Sequence, residues 1–300
     1  MKARFRVGCV PYVNARPLVA CFDQPNEFVE VVYDVPSRLP ALLDSGEVDA
    51  ILVSSIEYLR REDLVIAADV GIMSNGPVAS VRMLSKVPLE EIRTLALDES
   101  SMTSNMLAQI ILAEQGVRPS LLTMEPDQTA MLAACDACVL IGDKGLEADG
   151  TGLVDIDLGA AWTELTGEQF VWALWLAKRG QSFDYNELRD YLKHANTFSG
   201  IVRIHCTLDL ASDNVENTTI EDRGPALTWV FSEAASRSGW SFEKVEDYLT
   251  HNVRYAGEMH RSLAAFQARL QGHNLLSSSR EIGIGPFERI LAVAKLYSQV

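Results

Sequence analysis

Short apolar runs alternate with helix-forming segments over the first 85 residues of the chain. Residues 5–10 and 50–53 are largely apolar and have the length of buried strands, and residues 27–35 are rich in strand-forming residues. Pro17 suits the first turn of a helix, where its missing N–H costs nothing, and residues 56–59 form a second helical segment. Strands and helices that alternate in such short units predict an α/β fold, with a mostly parallel sheet and helices on its faces.

Polar side chains follow two of these strands at the point where each strand ends. Asn14 and Arg16 lie in the loop after the first strand, and Ser54 and Ser55 follow residues 50–53. In an open α/β sheet, ligands bind at the carboxyl ends of the strands. An amide beside a fixed cationic group at that edge predicts a site for a small anionic ligand. A turn followed by a surface arginine also explains Asn14 and Arg16 when this loop is considered alone.

A second series of strands and helices begins near residue 87. Residues 94–97 predict a strand, and residues 104–115 predict a helix that Gly116 closes. Residues 137–141 predict another strand. The second series therefore has the composition of a second α/β unit.

Residues 170–177 form an apolar run that we interpret as a strand crossing back toward the first unit. From residue 184 onward the pattern is helical. Two α/β units joined by a crossing predict two lobes around a cleft, the architecture of type II periplasmic binding proteins, with a helical C-terminal region. We assign residues 1–86 and 179–300 to lobe 1 and residues 87–178 to lobe 2. The ligand is expected in the cleft, because domain interfaces are preferred ligand sites.

Ser100, Ser101, Thr103 and Ser104 form a run of hydroxyl side chains immediately before a predicted helix. Hydroxyls at this position combine with the unsatisfied N–H groups of the first helical turn at the positive end of the helix dipole. Such an arrangement binds a carboxylate or a phosphate without Lys or Arg. Ordinary capping of the helix by one of these hydroxyls is the structural alternative.

Two further loops contain candidate residues. Asn75, Gly76 and Ser80 lie in one polar loop that is expected to reach the same cleft, although Asn75 and Gly76 also suit a tight turn. Asp143 follows a predicted strand, where its carboxylate fits a general base, a group that orients the ligand, or a cap of the next turn.

The net charge of −15 argues against nucleic acid or an anionic membrane surface as a partner. No apolar stretch approaches the roughly 18 residues of a membrane helix, and no secretory signal is recognisable, so we expect a cytoplasmic protein. Phosphate-loop, dinucleotide, zinc-protease and serine-hydrolase motifs are missing. The five histidines form no cluster, and the five cysteines offer one C-x-x-C pair without further ligands. We therefore expect a small-molecule partner and neither a metal nor a cofactor.

Five segments, in this order along the chain, resemble the chorismate dehydratase family: residues 12–18, 53–58, 74–81, 97–104 and 140–144. The resemblance resumes at residues 222–224 and 248–255, whereas residues 199–217 look like extra length relative to the family. It implies a hydro-lyase without a cofactor that converts chorismate to 3-[(1-carboxyvinyl)oxy]benzoate and water. This is the first reaction of the futalosine route to menaquinone. The related dihydroxynaphthoate synthases share the two-lobed fold but open with a Cys-Pro-Asn loop that this sequence lacks.

The resemblance also implies roles for the candidate residues. Chorismate carries two carboxylates, which loops on opposite lobes would clamp with charge-assisted hydrogen bonds. The expected substrate-binding residues are Arg16, Ser54, Ser55, Asn75, Gly76, Ser100, Ser101, Thr103 and Ser104.

The expected catalytic residues are Asn14, Ser80 and Asp143. In the preferred hypothesis, the enolpyruvyl carboxylate of the substrate itself takes the ring proton while Asn14 and Ser80 position it. Asp143 is the alternative base and belongs to the protein.

Three readings compete with the dehydratase. A non-catalytic protein that binds small anionic solutes and a ligand-sensing domain of a regulator have the same fold, so architecture alone does not separate them from the enzyme. The related synthase is the third. The sequence leaves the oligomeric state open, a homodimer included.

Overall fold

Two five-stranded sheets organise the chain. The computed structural model describes residues 3–23, 26–181, 185–199, 225–277 and 282. The first sheet consists of β1 (Phe5–Cys9), β2 (Val29–Tyr33), β3 (Ala50–Ser54), β4 (Leu64–Ser74) and β10 (Phe170–Lys178). The second sheet consists of β5 (Arg82–Ser85), β6 (Thr94–Asp98), β7 (Ser120–Met124), β8 (Ala137–Leu140) and β9 (Val154–Asp157).

Helices connect the strands of both sheets. The helices of the two α/β units are α1 (Arg16–Val19), α2 (Leu39–Ser45), α3 (Ile56–Arg60), α4 (Thr103–Glu114), α5 (Gln128–Ala134), α6 (Gly142–Glu147) and α7 (Leu158–Thr166). The C-terminal region contributes α8 (Tyr185–Ser199), α9 (Pro225–Ser238), α10 (Phe242–His251) and α11 (Met259–Gly272). Short 3-10 turns occupy Val13–Ala15, Ala20–Phe22 and Leu89–Glu91. The fold is α/β with a helical C-terminal region, as predicted.

The two sheets repeat one pattern. The strand order is β2-β1-β3-β10-β4 in the first sheet and β7-β6-β8-β5-β9 in the second. In each sheet a central strand pairs in parallel with both neighbours, β1 with β2 and β3, and β6 with β7 and β8. One strand of each sheet runs opposite to its neighbours, β10 in the first and β5 in the second.

These pairings move the lobe boundaries that we expected from the sequence. The strand β5 belongs to the second sheet, although residues 1–86 were assigned to lobe 1. The strand β10 belongs to the first sheet, although residues 87–178 were assigned to lobe 2. The chain crosses between the sheets before each of these strands, and a change of sheet leaves no mark in the local apolar pattern. The interpretation of residues 170–177 as a crossing strand agrees with the position of β10.

The crossing strand β10 is an inner strand of the first sheet. Eight of its nine residues are buried, and it lies between β3 and β4. A strand covered on both faces carries a continuous apolar sequence rather than an alternating one. This position explains the unbroken apolar run, including Trp172 and Trp175, that the sequence shows there.

The C-terminal helices pack against the first sheet and its loops. The residues Arg254 and Met73 form an isolated antiparallel bridge that continues the end of β4. Two stretches from the sequence analysis, residues 200–217 of the extra length and the resembling residues 222–224, lie outside the described residues. In the described part of the chain, none of the helices is both long enough and apolar enough to span a bilayer.

Candidate functional site

A cleft lies between the two sheets, and both contribute to its walls. Its polar side chains are Asn14 and Ser54 from the first sheet side and Ser101, Thr103 and Ser104 from the second. Its other lining residues are Val10, Tyr12, Pro36, Ile72, Val78, Val81, Ile141, Gly142, Trp172 and Ala173. The cleft therefore combines an apolar wall that suits a ring with hydroxyl and amide groups at its two sides.

The N-terminus of α4 opens into this cleft. The helix begins at Thr103, and no side chain caps it. The N–H groups of its first turn have no partner within the helix, so they are available to an anion together with the hydroxyls of Ser101 and Ser104. Asn105 fixes the preceding loop, because its Nδ2 donates to the carbonyls of Asp98 and Ser101, each at 2.8 Å. The capping alternative for this hydroxyl run is thus not what the structure shows.

Ser100 does not line the cleft and holds the loop before α4. Its backbone N–H and its hydroxyl both donate to Oδ1 of Asp98, at 2.8 and 2.6 Å. The Asp98 side chain is 1% exposed, and burial raises the pKa of this carboxyl. The phenol of Tyr12 also hydrogen-bonds to Ser100. Ser100 therefore supports the cleft wall, and its expected contact with substrate stays a prediction.

Thr103 links the second lobe to the first. Its Oγ1 accepts a hydrogen bond from the backbone N–H of Ile56 at 3.1 Å and lies 3.3 Å from Oγ of Ser55. The Ser55 hydroxyl donates to the carbonyl of Val171 at 2.7 Å, and Ser55 is fully buried. The Ser55 hydroxyl is therefore engaged inside the protein, and its expected role in substrate binding stays a prediction. Ser54, one residue earlier, lines the cleft.

Asn14 and Ser80 are joined by a residue that the sequence analysis did not select. Nδ2 of Asn14 donates to the hydroxyl of Tyr248 at 3.3 Å, and that hydroxyl donates to Oγ of Ser80 at 2.7 Å. Tyr248 lies on α10 between Val245 and Leu249, all three of them buried. Its spacing on the helix is that of a core residue, so no signal other than the resembling segment 248–255 marked it.

Asp143 stabilises the loop of Asn14 from the opposite lobe. It lies in the first turn of α6, and its carboxylate accepts a hydrogen bond from the backbone N–H of Val13. Burial raises the pKa of the Asp143 carboxyl. The neighbouring Gly142 has φ +56°, and a Cβ there would lie 3.3 Å from the Tyr12 ring. Asp143 itself does not line the cleft.

Comparisons with known protein sequences show the family to which the chain belongs. The sequence profile of a menaquinone biosynthesis family matches residues 5–199. A chorismate dehydratase of Thermus thermophilus is 31% identical over 192 residues, which cover 56% of this chain and 70% of that protein. The chain belongs to the chorismate dehydratase family. A chorismate dehydratase of Campylobacter jejuni is 32% identical over 176 residues, 55% of this chain and 64% of that protein.

Solved structures show the same fold at lower identity. A crystal structure of a protein from Archaeoglobus fulgidus has a TM-score of 0.63 at 16% identity and covers 91% of this chain and 98% of that one. The periplasmic aliphatic sulphonate binding protein of Escherichia coli has a TM-score of 0.60 at 16% identity, covering 93% and 90%. The two-lobed fold predicted from the sequence, that of periplasmic binding proteins, is thereby confirmed.

Arg16 has a structural role in this member of the chorismate dehydratase family. The residue is 2% exposed and does not line the cleft. The guanidinium donates to Glu233 Oε2 at 2.8 Å, to the Tyr33 hydroxyl at 2.5 Å and to the Asp23 carboxylate. Glu233 lies on α9, so Arg16 fastens the C-terminal region to the first lobe. The expected contact of Arg16 with substrate stays a prediction, since its guanidinium is already engaged by Asp23, Tyr33 and Glu233.

The turn between β4 and β5 contains Asn75 and Gly76, which we expected to bind substrate in the cleft. Asn75 is exposed, and Gly76 has φ +91° with its N–H donated to Thr163 Oγ1 at 2.9 Å. Neither residue lines the cleft. Asn75 and Gly76 form the tight turn that was the alternative, and only Val78 and Val81 of this crossing segment reach the cleft.

Proposed function

We propose that the protein is a chorismate dehydratase, a lyase that eliminates water from chorismate to give 3-[(1-carboxyvinyl)oxy]benzoate. The observation that carries the proposal is the cleft of a family member with polar groups at two opposite sides. The open N-terminus of α4 with Ser101 and Ser104 forms one side, and Asn14 and Ser54 form the other. Chorismate carries a carboxylate on its ring and another on its enolpyruvyl arm, which matches two separated polar sides.

The ring carboxylate is assigned to the N-terminus of α4. Its N–H groups, the helix dipole and the adjacent hydroxyls bind an anion without a cationic side chain. The apolar wall, with Ile72, Val81 and Trp172, receives the ring. Trp172 is held in place because its Nε1 donates to Ser74 Oγ at 3.1 Å.

The reaction removes the proton at ring carbon 3 and the hydroxyl at carbon 4, and the ring becomes aromatic. Negative charge that develops as the proton leaves is delocalised into the ring carboxylate. Hydrogen-bond donors already aimed at that carboxylate stabilise this charge and lower the barrier. The N-terminus of α4 would supply such donors.

The base is assigned to the enolpyruvyl carboxylate of the substrate, with Asn14 positioning that group and with Ser80, which does not line the cleft, acting through the hydroxyl of Tyr248. Asn14 lines the cleft and is held by the hydroxyl that also contacts Ser80. The carboxylate of Asp143 is engaged by the Val13 N–H, which supports a role for Asp143 in orienting the loop rather than in proton transfer. We further propose that the enzyme works in the cytoplasm, in the futalosine route to menaquinone, and without a cofactor.

Incubation of purified protein with chorismate tests the proposal. The mixture contains no added nucleotide and is run with and without a metal chelator, and the products are identified by mass spectrometry. Loss of one water per chorismate, with the aromatic ether as product in both samples, is the expected result. Unchanged chorismate together with a folded protein would contradict the proposal. Chorismate that is bound but unchanged would then indicate a solute-binding protein.

A further inference from the structure

Tyr248 connects three separate parts of the chain at the back of the cleft. It lies on α10 in the C-terminal region and is 3% exposed. Its hydroxyl meets Asn14 in the 3-10 turn after β1 and Ser80 in the segment that crosses between the sheets. Tyr248 therefore ties the C-terminal helices to the two residues assigned to positioning the enolpyruvyl carboxylate.

The direction of these hydrogen bonds determines what Asn14 offers to a ligand. Burial raises the pKa of Tyr248, so its phenol keeps its proton near neutral pH. That proton is donated to Ser80, and the phenol oxygen accepts from Nδ2 of Asn14. The amide oxygen Oδ1 of Asn14 is buried and has no partner among the described residues. The backbone is fixed as well, because the Tyr255 hydroxyl donates to the Asn14 carbonyl at 2.8 Å.

We propose that Tyr248 is a positioning residue, which holds Asn14 so that Oδ1 and its second Nδ2 proton are left for the substrate. This inference rests on the proposed function and adds a residue to it. One acceptor beside one donor matches a carboxylic acid, which has a proton to give and a carbonyl oxygen to accept. A carboxylate has no proton, so it forms only the bond from Nδ2.

The hydrogen bonding between Asn14 and the carboxyl group of the substrate therefore improves during the reaction. When the enolpyruvyl carboxylate takes the ring proton, it becomes an acid and gains the bond to Oδ1. An interaction that is stronger after the proton has moved than before it lowers the barrier rather than only tightening binding. Loss of the Tyr248 hydroxyl frees the amide of Asn14 to rotate and should affect turnover more than substrate affinity.

The test is a double-mutant cycle of Tyr248→Phe and Asn14→Ala, with kcat and KM measured for chorismate dehydration. Tyr248→Phe keeps the aromatic ring, whose centroid lies 6.4 Å from the centroid of the Trp240 ring. We expect kcat to fall about 10- to 100-fold, the range for loss of a buried hydrogen bond in a site, and KM to change by less than about threefold. In the Asn14→Ala background, Tyr248→Phe should change kcat by less than about twofold, because there is no amide left to position.

Tyr185→Phe is the matched control. The hydroxyl of Tyr185 donates to the Lys178 carbonyl, away from the cleft, and its removal should leave both constants unchanged. Wild-type kcat in Tyr248→Phe, or an equal fall of kcat in both backgrounds, would overturn the inference.

A second measurement does not need activity. In protein labelled with 15N-asparagine, the side-chain amide signal of Asn14 is identified as the one missing from Asn14→Ala. We expect the exchange of its Nδ2 protons with solvent to be at least about tenfold faster in Tyr248→Phe than in the wild type. Unchanged exchange contradicts the positioning role even if the wild type dehydrates chorismate. Faster exchange supports that role even if chorismate proves not to be the substrate.

Discussion

Two helices that begin at the cleft, α3 and α4, have similar sequences before them and different uses. Each follows a strand of its sheet, and hydroxyl residues precede it, Ser54 and Ser55 before α3 and Ser100 and Ser101 before α4. The first N–H of α3 is already occupied, because it donates to Thr103 of the other lobe. The first turn of α4 has no side-chain cap and opens into the cleft. Hydroxyl residues before a helix therefore indicate either a ligand site or a contact between lobes. The group that binds the first N–H groups of the helix decides between the two.

The largest effect should come from placing a negative charge at the open helix. Ser104→Asp puts a carboxylate at the second residue of α4, where the helix dipole favours it and the substrate carboxylate does not. We expect kcat/KM for chorismate to fall about 100-fold or more, since like charges in contact cost several kcal/mol. The melting temperature should stay the same or rise. Steady-state kinetics and thermal unfolding measure both.

The exposed Thr129 is the matched control, because it is the second residue of α5 and lies outside the cleft. Thr129→Asp adds the same charge at the same helical position and should leave kcat/KM unchanged. Wild-type kinetics in Ser104→Asp would show that the substrate carboxylate binds elsewhere.

Removing the Thr103 hydroxyl, which accepts the first N–H of α3, should lower the stability of the fold. Thr103→Val keeps the shape of the side chain but leaves the buried N–H of Ile56 without an acceptor. An unsatisfied buried donor costs about 1–3 kcal/mol of unfolding free energy. Urea unfolding measures this loss, with the exposed Thr123→Val as the control that should be neutral. Equal stability of the two variants would mean that the contact between Thr103 and α3 does not stabilise the fold.

The sequence predicted those parts of the site that depend on local order. Strand ends, the helix after residue 103 and the open cleft follow from apolar runs and from the residues that interrupt them. The same reasoning says nothing about the contacts that a distant residue makes. Arg16 is engaged by Glu233, which is 217 residues away in the chain, and the partner of Asn14 is 234 residues away. No local pattern states whether a polar group at a strand end already has a partner, because that depends on how the C-terminal helices pack.

The loop before α4 predicts an unusual dependence of stability on pH. Burial raises the pKa of Asp98 above that of the unfolded chain, so the folded state binds the proton more readily. The stability contributed by this protonation is fully present below the ordinary pKa of Asp and is lost as the pH rises through the folded pKa. As the pH falls from neutral, the wild type should therefore gain unfolding free energy relative to Asp98→Asn, whatever constant difference the substitution introduces.

Asp136 provides a control of opposite sign. Hydrogen bonds from the Arg93 N–H and from Thr94 lower the pKa of its carboxyl, so its contribution is present above the ordinary pKa and is lost as the pH falls. The wild type should lose unfolding free energy relative to Asp136→Asn over the same acidic range. Urea unfolding at several pH values measures both series, and parallel curves for the two variants would contradict the assignment of Asp98.

The smallest effect concerns α6, the third helix that begins at the cleft. Asp143 in its first turn accepts from the Val13 N–H, and Asp143→Asn keeps an acceptor oxygen for that bond. We expect kcat within about threefold of the wild type, whereas loss of a general base lowers turnover by about 100-fold or more. A 100-fold loss in a variant with the wild-type circular dichroism spectrum and melting temperature would instead make Asp143 the base. The N-terminus of α6 would then take part in the chemistry, unlike the occupied N-terminus of α3 and the open N-terminus of α4. The enolpyruvyl carboxylate of the substrate would serve only in binding.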